Sequence, residues 1–91
     1  MGTAETRKKI LSLIQEGKDE IERLLAIAGN GRGALDSYLK ALSSSELIRL
    51  QEYIFAEEQF YQGNVPLHMT TEKLDLIKAA RRRVDFYAST R

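Results

Sequence analysis

The sequence predicts an all-α fold, a small bundle of three long helices and one short connecting helix. Three observations predict it. Apolar residues recur at three- and four-residue spacing along most of the chain. Clusters of glycine and asparagine, which end helices, interrupt that spacing at Gly29 to Gly33 and at Gly63-Asn64. No run alternates apolar and polar residues as a half-buried strand does.

The first long helix is expected over residues 4–28, with Thr3 as its N-cap. Ile10, Ile14, Ile21, Leu24, Leu25 and Ala28 share one face of it. Gly17 falls on that face, where glycine costs about 1 kcal/mol relative to alanine. A glycine there either lets another helix approach closely or marks a bend. Unbroken from Thr3 to Ala28, the helix would be about 39 Å long. Gly29-Asn30-Gly31-Arg32-Gly33 ends it. The short connecting helix, residues 34–42, carries Leu35, Tyr38, Leu39 and Leu42.

Ser43-Ser44-Ser45-Glu46 spells a capping box, serine first and glutamate three residues on. It opens the second long helix, residues 44–62, which Gly63-Asn64 stops. Val65-Pro66-Leu67 is expected to be extended, because proline disfavours helix at the residue before it. Thr70 or Thr71 caps the third long helix, residues 71–89. Its stripe is Leu74, Ile77, Ala80, Val84 and Tyr87. A chain of 91 residues is expected to form one domain, 1–91.

The totals exclude several classes of function. Fourteen basic and 13 acidic residues leave a net charge of +1, which argues against a generic polyanion binder. The chain has no cysteine, so it forms no disulfide and no thiolate metal site. It shows no signal-peptide core, and no apolar run approaches the roughly 20 residues that span a bilayer. The expectation is a cytoplasmic protein with no membrane association.

The helix from Leu47 to Tyr61 is apolar on too many sides for a surface helix. Leu47, Leu50, Ile54 and Tyr61 form the main stripe. Ile48 and Phe55 form a second line, and Tyr53 and Phe60 a third. The main stripe is expected to pack on the first helix and one flank on the last. The remaining line then needs the short helix, the loop or a partner. The expected protein interface comprises Ile48, Tyr53, Phe55, Phe60 and Tyr61 as anchors. Glu57 and Glu58 are expected as rim charges beside it.

Charge is segregated along the chain. Residues 70–91 carry six basic and three acidic side chains, and residues 43–64 carry one basic and four acidic. An antiparallel hairpin of the last two helices would bring Arg81 near Glu52, with Asp85 as its second partner. Lys78, Arg82 and Arg83 are then free for a phosphate or an acidic partner, or are simply solvated. Arg7, Lys8 and Lys9 form a second basic cluster, placed against the helix dipole. With the short helix acting only as a connector, the two clusters lie at opposite ends of the molecule.

No catalytic chemistry is legible. The Gly29 to Gly33 loop follows a helix and lacks the Lys-Ser/Thr ending of a phosphate loop. His68 is the lone histidine, without Glu-x-x-His or His-x-x-x-His spacing. Ser43, Ser44 and Ser45 are accounted for by the cap. No catalytic residue, cofactor, metal ligand or small-molecule substrate is therefore expected. The expected function is a non-enzymatic protein-interaction module: an adaptor, inhibitor or accessory regulator of a larger machine, self-associating as a homodimer. The alternative is a nucleic-acid-binding accessory protein using the basic C-terminal helix.

Overall fold

A computed structural model describes residues 4–64 and 71–90. They form five helices: α1 (Ala4–Glu16), α2 (Lys18–Ala28), α3 (Arg32–Lys40), α4 (Ser44–Asn64) and α5 (Thr71–Ser89). The all-α class stands. Thr3, the extended segment around Pro66, His68 and Thr70 lie outside the described residues.

The first expected helix is divided in two at Gly17. The backbone there has φ −97° and ψ 18°, off the helical values. Hydrogen bonds still run from Gly17 N–H to Leu13 O and from Ile21 N–H to Gly17 O, at 2.9 and 2.8 Å. The chain bends without breaking. An unbent helix would overshoot the molecule, whose longest extent is 35 Å. The Tyr53 ring sits in the bend, so close that a Cβ on residue 17 would lie 2.3 Å from its Cγ. Gly17 therefore both bends and admits a neighbour.

The Gly29 to Gly33 turn is shorter than expected, because Arg32 and Gly33 already belong to α3. Gly31 takes the sharp step, at φ +110°, a conformation L residues avoid. The capping box forms as the sequence predicts. Ser43 N–H donates to Glu46 Oε1 at 2.9 Å, and Glu46 N–H donates to Ser43 Oγ at 3.2 Å. The Ser43 N–H holds the Glu46 carboxyl below its ordinary pKa. Helix α4 runs on through Gly63 and Asn64, two residues past the expected stop.

The core is built by α2, α3, α4 and α5. Leu24, Leu35, Leu39, Leu47, Leu50, Ile54, Ile77, Ala80, Val84 and Tyr87 are buried together. Burying a leucine or isoleucine is worth about 2 kcal/mol, so these side chains supply most of the driving force. The main stripe of α4 thus faces α2, α3 and α5. Since α2 is the second half of the first expected helix, the expected packing of this stripe holds there, and α3 and α5 share it. Helix α1 buries none of its own residues and lies along a flank of α4. Helix α4 stands between α1 on one side and α5 on the other.

Candidate functional site

The α5 flank of α4 is closed by polar side chains that find partners. Arg81 donates to Glu58 and lies 3.5 Å from Asp85. Gln51 Nε2 donates to Asp85 Oδ1 at 2.8 Å. Gln62 Nε2 reaches Glu58 Oε2 at 3.4 Å. Arg81 therefore meets Glu58 rather than Glu52, because the hairpin register sets it nearer the C-terminal half of α4. Glu58 is only 5% exposed, so it is a buried ion-pair partner and not a rim charge. Arg83 is also consumed. Its guanidinium makes a two-pronged contact with Asp36 of α3, at 2.9 and 3.1 Å. This removes it from the expected free basic run.

Outside this seam lies the second apolar line of α4. Ile48 is 52% exposed and Phe55 45% exposed. They stand seven residues apart, on successive pairs of turns of one face. The Arg81 guanidinium lies 4.9 Å from the centre of the Phe55 ring and covers one side of it. Lys78 and Arg82 of α5 make no ion pair among the described residues. Glu52 is exposed on α4 between the two apolar residues.

The third line turns inward. Tyr53 is 4% exposed, fills the bend at Gly17 and donates its hydroxyl to Glu16 Oε2 at 2.8 Å. That hydrogen bond raises the tyrosine pKa. Tyr53 is therefore a packing residue and not an interface anchor. Phe60 and Tyr61 are half-buried on the same side, their rings edge to face with centres 5.8 Å apart. Of the five expected anchors, Ile48 and Phe55 present the exposed pair.

On this opposite flank, α1, α2, α4 and the start of α5 line an open cleft of about 570 Å³. Leu11, Ile14, Ile21, Leu25 and Phe60 give it apolar walls. Glu57 opens onto it and is 9% exposed, again not a rim charge. Among the described residues Glu57 has no hydrogen-bond donor and no ion pair within 4.0 Å. Burial pushes its carboxyl above the ordinary range. Lys73, at longer range, pulls it partly back, and Glu22 adds to the rise. Lys73 itself is drawn to Tyr61, whose hydroxyl contact is the main cause of its raised pKa. Its ammonium lies 5.2 Å from the centre of the Tyr61 ring.

The signal for Glu57 and Glu58 was present in the spacing. They follow Ile54 by three and four residues, which places both on the buried stripe. Their charge suggested an exposed face instead.

The basic clusters do not merge. Arg7, Lys8 and Lys9 are exposed on α1, and Lys78 and Arg82 lie on α5, with α4 between them. Among the described residues, no helix is long and apolar enough to cross a membrane. Comparison of the chain with protein-family models, with curated proteins and with solved structures finds no match.

Proposed function

We propose that this protein is a non-enzymatic helical module that binds another protein, or a second copy of itself, through the outer face of α4 and α5. One observation supports this most directly: Ile48 and Phe55 stand exposed on a helix whose other large apolar residues are buried or half-buried. Large side chains bury substantial area in an interface, and a packed apolar pair is a good anchor. On the neighbouring helix α5, Lys78 and Arg82 make no ion pair among the described residues, which suits a partner with an apolar contact and an acidic rim. An adaptor, an inhibitor or an accessory regulator would act this way, by bridging or by occlusion. The proposal sets the module in the cytoplasm, in keeping with a chain that has no cysteine.

The nucleic-acid alternative is the weaker reading. Its basic run loses Arg83 to Asp36, and α4 separates Lys78 and Arg82 from Arg7, Lys8 and Lys9. Binding to nucleic acid that falls steeply with salt would revive it.

The test pairs two variants. Ile48→Ser with Phe55→Ser removes the exposed pair, and Leu11→Ser removes an exposed leucine on the other flank. Solution mass across a concentration series reports self-association, and quantitative capture from host extract reports other partners. The expected result is loss of association in the first variant and retention in the second. A wild-type chain that stays monomeric and captures the same proteins as the double variant would overturn the proposal.

A further inference from the structure

The α1 flank of α4 holds a feature that this interface does not use. Glu57 is more than nine-tenths buried, faces an apolar cleft and receives no hydrogen bond among the described residues. Glu58, its neighbour, is equally buried and is met by Arg81. An ionised carboxylate only accepts hydrogen bonds, and among the described residues no fully buried side-chain oxygen lacks a partner, so the Glu57 oxygens keep access to water through the open cleft. The residue next in the chain shows that this fold is able to supply a guanidinium to a buried glutamate. At Glu57 the space where a donor would stand is the cleft itself.

The cleft has the dimensions of a small-molecule site. Its volume of about 570 Å³ falls inside the usual range of roughly 300–1,000 Å³ for such sites. Its apolar walls are joined by the polar or charged side chains Gln15, Lys18, Glu22, Glu57, Tyr61 and Lys73. Leu11 and Ile14 come from α1, Ile21 and Leu25 from α2, and Phe60 from α4. The charged groups at its edge balance: Lys18 and Lys73 stand against Glu22 and Glu57. Lys73 is engaged by Tyr61 and acts on Glu57 only at longer range. Glu57 thus offers the cleft an acceptor that no described protein group uses, beside walls that are apolar.

We infer that the cleft between the α1–α2 bend, α4 and the start of α5 binds a small apolar molecule bearing a protonated amine, with Glu57 receiving the ammonium. An ammonium supplies both the donor and the charge that the carboxylate lacks, and charge-assisted hydrogen bonds of this kind are the stronger ones. The apolar body lies against Leu25, Ile21 and Phe60. This departs from the sequence expectation of no small-molecule ligand. It is independent of the Ile48–Phe55 face, which lies across α4.

The experiment is an NMR titration of the full chain with three probes of one shape: phenethylamine, phenethyl alcohol and hydrocinnamate. The expected result is saturable binding of the amine, with shifts centred on Ile14, Ile21, Leu25 and Phe60. The alcohol is expected to bind about tenfold more weakly or worse, and the acid not to bind. Glu57→Gln keeps the shape and removes the charge, and is expected to erase the preference for the amine. Equal binding of amine and alcohol by the wild type, binding of the amine elsewhere, or no binding of any probe would overturn the inference. So would an amine affinity unchanged in a folded Glu57→Gln chain. The three-probe comparison on the wild type decides the matter even if that variant does not fold.

Discussion

The two flanks of α4 solve the same problem differently. On the α5 side, polar groups between the helices are paired: Glu58 with Arg81, and Gln51 with Asp85. The apolar pair Ile48 and Phe55 is left outside that seam. On the α1 side, apolar residues line the gap and Glu57 is left without a donor among the described residues. Two consecutive glutamates thus mark a sealed flank and an open one. The difference teaches that burial alone does not make a structural residue. What decides is whether the group's hydrogen-bonding requirement is met.

Breaking the α1 flank gives the largest effect. Gly17→Ala drives a methyl group into the Tyr53 ring, and overpacking of this kind costs about 3 kcal/mol. Thermal unfolding should show a melting temperature lower by roughly 10–20 °C. An unchanged melting temperature would mean that the bend relaxes freely.

The next effect falls on the sealed flank. Arg81→Ala strands Glu58, which is far more buried than the arginine. The arginine is one-third exposed, so the loss is discounted to about 2 kcal/mol. Urea denaturation at neutral pH measures it. Adding Glu58→Gln to that variant should recover about half.

Glu57→Gln should have the opposite sign and stabilise the protein by about 1 kcal/mol at neutral pH. Its folded pKa lies above the reference value of 4.5, so the folded state takes up this proton before the unfolded state does. Stability from this group therefore falls as pH rises through the window between 4.5 and the higher folded value. The gain from Glu57→Gln should be present at pH 7 and absent near pH ~3.5, where both states are protonated. Urea midpoints at the two pH values check this. A gain that persists in acid would show that packing, and not charge, is responsible.

The smallest effect on stability is expected at the exposed pair. Ile48→Ser with Phe55→Ser should cost under about 1 kcal/mol, because both side chains remain half in water. The same variant should carry the largest effect on association, so the ratio of the two readouts separates a binding face from a packing face.

Much of this was legible from the residues. The capping box named the start of α4, and the spacing of Ile77, Ala80, Val84 and Tyr87 named the buried side of α5. The excess of apolar lines on α4 correctly left one pair outside. Which pair it was depended on Gly17, since only a residue without a side chain makes room for the Tyr53 ring. The partners of Arg81 and Arg83 depended on the register of α5 against α4 and α3, which no local pattern encodes. The rim role expected of Glu57 and Glu58 failed because charge was weighed above their place on the stripe.

By itself, then, the sequence determined the all-α class, the start of α4, the bounds of α5 and most of the apolar residues that would seek burial. These follow from local physics: periodicity, capping and the conformational limits of glycine and proline. The tertiary structure alone decided which charges are spent in pairs and which are left over. A carboxylate three residues from a core isoleucine carries the same local instruction whether an arginine or a cleft awaits it. Only the packing of α1, α2 and α5 around α4 gave Glu58 its arginine and left Glu57 facing space.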